Sequence, residues 1–298
     1  MLVSVIGLGE TGSSISLLLL SEFSNIQLNI MDPKPLLSGR IIDLAHAGMV
    51  RSNNVSWNND ELISKSDFIF FCAGSRNKPG MDRLTRAREN HTLIKAVFGE
   101  IELKSNCTII VISNPVDAMA AWIYDYFDQQ VQVIGTGTLL DTYRLEVILA
   151  KHAQVDFDKV NATVLGEHGE SMFPVWSQTN IDEELITDLY GEEELNTLEK
   201  ELKRTATLIR KTEDATKYGI ASTALEIMRR LQSKVMSYSI ASVPFSDGQD
   251  QRPITFVGQQ VIIGNGKLEA RSRNSLTDSE KDLFQASVRK LSAVLRDY

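Results

Sequence analysis

The run Val3-Ser4-Val5-Ile6-Gly7-Leu8-Gly9-Glu10-Thr11-Gly12 constrains the fold more than any other stretch of this chain. It reads as a strand, a Gly-x-Gly-x-x-Gly turn and the start of a helix. In that arrangement Gly7 permits the tight turn, Gly9 lets the backbone approach a pyrophosphate, and Gly12 lets helix and strand pack closely. The helix N-terminus then offers amide N–H groups and a positive dipole to phosphate. Asp32 ends the next strand-like run, about twenty residues past Gly12. A carboxylate there accepts hydrogen bonds from ribose hydroxyls and repels a 2′-phosphate, which favours NAD over NADP, although Lys34 stands close by. The competing reading, a glycine turn with no ligand, leaves the placement of Asp32 unexplained.

Short apolar runs alternate with amphipathic segments over the first 135 residues. Strands are predicted at 2–6, 27–31, 55–57, 67–72, 108–112 and 131–134, with helices at 12–22, 36–50, 84–103 and 116–127. This alternation is the signature of a parallel sheet with crossover helices. The expected fold class is α/β: a Rossmann-type doubly wound parallel sheet, followed by an α+β substrate domain with antiparallel strands. The boundary is predicted near 135, giving an NAD-binding domain over 1–135 and a substrate-binding catalytic domain over 136–298. In the second part helices are expected over 138–151, 192–211, 219–235 and 277–296, and strand-like runs at 160–165, 236–245 and 254–263. Gly264-Asn265-Gly266 then gives a strong hairpin signal.

The 298-residue chain carries a formal net charge of -8, which argues against a nucleic-acid partner. Neither a membrane-spanning apolar run nor a signal peptide is evident, so the expected setting is cytoplasmic and away from membranes. Cys72 and Cys107 lie in or beside apolar strand-like runs and read as reduced, buried thiols. No spacing of His, Cys or carboxylates suits zinc, and no metal is expected.

Three later blocks make chemical sense together: Ser113-Asn114-Pro115-Val116-Asp117, then Gly135-Thr136-Gly137-Thr138-Leu139-Leu140-Asp141-Thr142-Tyr143-Arg144, then Leu165-Gly166-Glu167-His168-Gly169. Asp141 and Arg144, three apart, share a face if the segment is helical. His168 stands between glycines, where little bulk blocks a reactant. A carboxylate that fixes a His tautomer and steadies its imidazolium makes an acid/base pair. An arginine beside it can grip a carboxylate with two prongs. The set suits proton transfer at a hydroxyl or carbonyl next to a carboxylate. His46, His91 and His152 lie in helical patterns with no such company. Between the fourth strand and the next helix, Gly74-Ser75-Arg76-Asn77-Lys78-Pro79-Gly80-Met81-Asp82-Arg83 forms a polar loop at the sheet edge where open α/β folds bind ligands.

With these motifs in this order, the chain resembles the L-lactate/malate dehydrogenase family over almost its full length. The resemblance implies an NAD-dependent oxidoreductase interconverting an L-2-hydroxy acid and its 2-keto acid, and a homo-oligomer, dimer or tetramer. His168 resembles the family's proton donor/acceptor, and Asp141 its partner. Arg144 resembles the clamp on the substrate carboxylate, and Arg83 the loop residue that polarises the carbonyl. Asn114 resembles the residue that orients substrate beside the His and the nicotinamide. Thr216 and Ile220 match positions lining the substrate and nicotinamide pocket.

One position departs from the pattern. Just before Lys-Pro-Gly, malate enzymes of the family carry Arg and lactate enzymes Gln, whereas this chain has Asn77. A neutral amide cannot pair with a second carboxylate, and Asn is shorter than Gln. L-Lactate/pyruvate, or a bulkier neutral homologue, is therefore the expected substrate. Malate is the alternative if the loop register shifts so that Arg76 takes the charged role. Two other classes stay open: an NAD-dependent glycoside hydrolase, which would need a divalent metal, and a non-catalytic NAD-binding protein. Arg86 and Arg88 place charge on a helix face where an apolar residue is expected; the simpler account is a solvated face.

Overall fold

The structure, a computed structural model, describes residues 1–74, 83–209, 211, 213, 216–245 and 254–296, excluding the side chains at 36 and 83–88. Among these residues the chain divides into two compact units, 1–135 with 217–229, and 136–216 with 230–296.

In the first unit the elements run β1 (Leu2–Ile6), α1 (Glu10–Glu22), β2 (Gln27–Met31), α2 (Ser38–Met49), β3 (Asn54–Trp57), α3 (Asp60–Ser64), β4 (Phe68–Phe71), α4 (Arg83–Phe98), β5 (Thr108–Val111), α5 (Val116–Tyr126) and β6 (Gln132–Gly135). The strands pair in parallel in the order β3-β2-β1-β4-β5-β6. The central runs Ile69-Phe70-Phe71 and Ile109-Ile110-Val111 are wholly buried, as parallel strands covered on both faces must be. The order reverses between β1 and β4, and in open α/β sheets ligands bind beyond the carboxyl ends of strands at such a point. The glycine turn leaves β1 there. The fourth helix stops sooner than its pattern predicts, because Gly99 takes the left-handed conformation (φ +51°) and its N–H closes on the Lys95 carbonyl.

The second unit contains α6 (Leu139–Ala153), β7 (Val160–Asn161), β8 (Val164–Leu165), β9 (Phe173–Pro174), β10 (Asn180–Ile181), β11 (Glu184–Leu185), α7 (Ile186–Leu189) and α8 (Glu192–Ile209). The next helix, α9 (Tyr218–Gln232), belongs to the first unit as far as Arg229. After it come β12 (Ser237–Phe245), β13 (Thr255–Gly264), β14 (Lys267–Ala270) and α10 (Asp278–Arg296). The strands β12, β13 and β14 form an antiparallel meander, and the Asn-Gly turn closes its β13–β14 hairpin. Leu145, Ile148 and Leu149 of α6 pack with Leu195, Leu198 and Leu202 of α8 into one core. Both triplets have helical spacing, and each such side chain contributes about 1.5–3 kcal/mol when fully buried.

The predicted strand at 160–165 is divided into β7 and β8, which join different sheets. The cause lies in α6 and its N-cap residue Thr138, whose side chains take backbone groups that a strand partner would otherwise use. Glu146 Oε1 accepts from Ala162 N at 3.3 Å, and Thr142 Oγ1 accepts from Val164 N at 3.0 Å. Thr138 Oγ1 donates to the Val164 carbonyl at 2.6 Å.

Burial pushes the Glu146 carboxyl up to about 7, against the downward pull of the Ala162 hydrogen bond and of Arg230. Its folded-state pKa therefore lies above the ordinary 4.5, and the native state holds the proton more tightly. Stability from this group is full below that ordinary value and is lost as pH rises through about 7. Glu146→Gln should accordingly stabilise the protein at pH 8, by about 1–2 kcal/mol once solvent screening is allowed for, and change little at pH 4. Denaturant melts at the two pH values check this, and an equal effect at both would sink it.

Candidate active site

The cofactor end is built from the β1–α1 turn. Gly7 has φ +92°, and a Cβ there would lie 2.7 Å from the Ala73 backbone; one on Gly12 would lie 1.9 Å from the Gly7 carbonyl oxygen. These two glycines are required by the chain's own packing. Gly9 is different, since an added Cβ would meet nothing within 4 Å. The protein leaves open the side of the turn on which a pyrophosphate would approach. Asp32 is buried at the end of β2, its Oδ2 accepting from Leu8 N at 2.9 Å and its Oδ1 from Lys34 N at 3.1 Å. Each oxygen keeps a further lone pair for a ribose hydroxyl. The residues present thus fit a dinucleotide.

Sequence reasoning did not single out Arg40, which reaches from α2 to this turn. It donates to the Leu8 carbonyl at 3.1 Å, to Ser13 Oγ at 2.9 Å and to Glu10 Oε1 at 3.2 Å. Lys217 Nζ lies 3.5 Å from the other Glu10 oxygen. Two cations thus bracket the first residue of α1. No local pattern announces them, because both come from distant parts of the sequence.

The acid/base end lies within the second unit. Asp141 and Arg144 fall in the first two turns of α6, where the helix dipole favours a carboxylate. His168 follows β8 in a turn pinned to β13 by reciprocal backbone hydrogen bonds between Gly166 and Gly258, at 3.1 and 3.0 Å. These elements bring the three side chains together. His168 Nδ1 lies 2.7 Å from Asp141 Oδ2, and Arg144 Nη1 donates to Asp141 Oδ1 at 2.9 Å. The Asp141 side chain is 2% exposed, against 11% for Arg144 and 25% for His168, so the carboxylate is sealed while the ring stays reachable. Burial pushes the Asp141 carboxyl up, but the combined pull of His168 and Arg144 outweighs it and holds the group below its ordinary range. Asp141 is therefore ionised near neutral pH. An ionised carboxylate on Nδ1 fixes the tautomer and presents Nε2 for proton exchange.

The remaining predicted residues are distributed as follows. Asn114 is exposed just after β5, its carbonyl accepting from Asn90 Nδ2 at 2.8 Å, and the Asn114–Pro115 peptide is cis. Ile220 is half-buried in α9 within the first unit, whereas Thr216, also half-buried, counts with the second. Arg83 begins α4, but its side chain lies outside the described residues, as do those of Arg86 and Arg88 and the whole of Arg76 and Asn77.

Residues 1–154 match the model of the lactate/malate dehydrogenase NAD binding domain, and residues 138–298 that of the alpha/beta C-terminal domain of the same enzymes. The chain belongs to the lactate/malate dehydrogenase family. It is an NAD-dependent oxidoreductase of hydroxy acids. An L-lactate dehydrogenase of Streptococcus mutans is 32% identical over 306 aligned positions, covering 98% of this chain and 93% of that enzyme. Among solved structures, the minor L-lactate dehydrogenase from Enterococcus mundtii is similar with a TM-score of 0.86, at 27% identity and over 99% of this chain and 98% of that one. The malate dehydrogenase of Cryptosporidium parvum is similar with a TM-score of 0.85, at 26% identity and the same coverage. Members named for either substrate share this fold, so the choice between them rests on side chains.

Proposed function

We propose that this family member interconverts an L-2-hydroxy monocarboxylic acid and its 2-keto acid, with L-lactate/pyruvate or a bulkier neutral homologue favoured. The contact that carries the chemistry is His168 Nδ1 on Asp141 Oδ2 at 2.7 Å. Bound nicotinamide supplies a two-electron acceptor for the hydride on C2 of the hydroxy acid. His168 Nε2 takes the hydroxyl proton as the C2–O bond becomes a carbonyl, and returns it in reduction. Asp141 steadies the imidazolium so formed. Arg144 grips the substrate carboxylate with the edge of its guanidinium not used on Asp141. Arg83 stabilises charge developing on the reacting oxygen, an effect of about 3 kcal/mol for one well-placed donor. Asn114 orients the substrate, Thr216 and Ile220 line the pocket, and Asp32 selects NAD by its ribose.

Asn77 argues for a neutral substrate side chain, since an amide offers no ion pair to a second carboxylate. Malate remains the second reading because Arg76 stands one position earlier in the same loop. The proposal carries with it a homo-oligomer in a reducing, cytoplasmic setting. Cys72 and Cys107 are both free thiols, and burial pushes Cys107 up to about 12.

The test is NADH oxidation with pyruvate, 2-ketobutyrate, 2-ketoisocaproate, phenylpyruvate and oxaloacetate, with Asn77→Arg beside the wild type. A monocarboxylate should win, and the substitution should swing the kcat/KM ratio toward oxaloacetate by about tenfold or more, the effect of a new ion pair. Wild-type preference for oxaloacetate would hand the charged role to Arg76. NADH binding without turnover on any of the five would end the dehydrogenase reading for 2-hydroxy acids.

A further inference from the structure

His168 sits in the middle of a turn whose two sides are fastened to the C-terminal helix. On one side, Glu167 carries a carboxylate that is 2% exposed, and its Oε2 lies 2.6 Å from both Ser171 Oγ and Lys290 Nζ. On the other, Ser287 Oγ, wholly buried, donates to the Ser171 carbonyl at 2.7 Å. Ser287 and Lys290 are three apart on α10 and so present one face to the turn. The backbone closes around these groups. A Cβ on Gly169 would lie 3.0 Å from the Glu167 carboxylate, and one on Gly166, at φ +95°, would lie 2.6 Å from Ser287 Oγ. Both glycines flanking the Glu-His pair therefore serve this contact.

A buried carboxylate needs a counter-charge, and breaking such a pair by removing one partner is far more disruptive than removing both. Among the described residues, the charged groups that pair on this turn and on Asp141 are Arg144 from α6, Glu167 and the exposed Glu170 from the turn itself, and Lys290 from α10. Lys290 meets Glu167 closely and Glu170 only at 3.9 Å.

We propose that Glu167 and Lys290 are positioning residues: α10 grips the turn through this pair and holds the His168 ring on Asp141. The inference rests on the acid/base role given to His168 above. In Lys290→Met, kcat for keto-acid reduction should fall roughly 10- to 100-fold, the cost of a small misplacement of a reacting group. KM for the keto acid and the Kd of NADH should stay within about threefold, because the pair is not among the residues proposed to bind either ligand. The limb of the rate profile set by His168 should move to higher pH, because removing a cation held 2.6 Å from the carboxylate of the adjoining residue favours the imidazolium. Lys290→Arg should restore both readouts. The double variant Glu167→Gln/Lys290→Met loses the grip without a charge imbalance, so kcat should stay about as low as in Lys290→Met while the pH limb returns to its wild-type position; it also serves as the folded control should the single variant not fold. The idea is overturned if folded Lys290→Met keeps the wild-type kcat and pH limb, losing only thermal stability. It is overturned equally if the double variant, which lacks the pair, has the wild-type kcat. A wild-type enzyme inactive on every 2-keto acid would instead bring down the dehydrogenase reading itself.

Discussion

Asp141→Asn is expected to lower kcat for 2-keto acid reduction by about 1,000-fold, within the usual reach of general acid–base catalysis. The amide is nearly isosteric, so the shape of the α6 N-terminus should survive. What disappears is the negative charge that His168 Nδ1 faces at 2.7 Å and that Arg144 faces at 2.9 Å. A neutral amide neither stabilises the imidazolium nor fixes one tautomer, since it can present either oxygen or N–H to Nδ1. The Kd of NADH should be unchanged, because the dinucleotide turn belongs to the other unit of the chain. Stopped-flow reduction with a fluorescence titration of NADH separates the two quantities. A kcat within about threefold of wild type would remove Asp141 from the mechanism, being far below the effect of a lost acid–base partner.

Arg144→Gln should cost about 100- to 1,000-fold in kcat/KM, through loss of a charge-assisted grip on the substrate carboxylate. The interpretation needs a second variant, because Arg144 also holds Asp141. Arg144→Lys keeps a positive charge beside Asp141 but lacks the planar two-pronged fork. If Arg144 binds substrate, the Lys variant should remain at least about tenfold impaired, mostly in KM, as loss of one strong hydrogen bond implies. Full activity in Arg144→Lys would mean that the residue serves only to set the charge of Asp141.

The parallel sheet was readable from sequence because short, largely apolar runs alternate with amphipathic helical segments over the first 135 residues, the pattern of strands joined by crossover helices. Val160–Leu165 misled for the same reason: its composition is that of one strand, and only the side chains of α6, a turn or more away along another element, divide it in two. Asp141, Arg144 and His168 were legible as a set because helical spacing joins the first two and a glycine-flanked block marks the third. Glu167 lay in the same block and passed unremarked. Its partner Lys290 comes from the last helix, and a contact across more than a hundred residues leaves no local trace. Arg40 and Lys217 escaped for the same cause, pairing with Glu10 from positions that no periodicity connects.

One helix, α6, supplies Asp141 and Arg144, and through Thr142 and the N-cap residue Thr138 just before it also anchors the strand that leads into His168. The proton-transferring atoms are thus separated by very few joints. Residue 77, which is expected to choose the substrate, sits in a stretch of chain that none of these bonds involves. On the proposed reading, a change of substrate made at residue 77 would leave the bonds joining α6, β8 and His168 as they are.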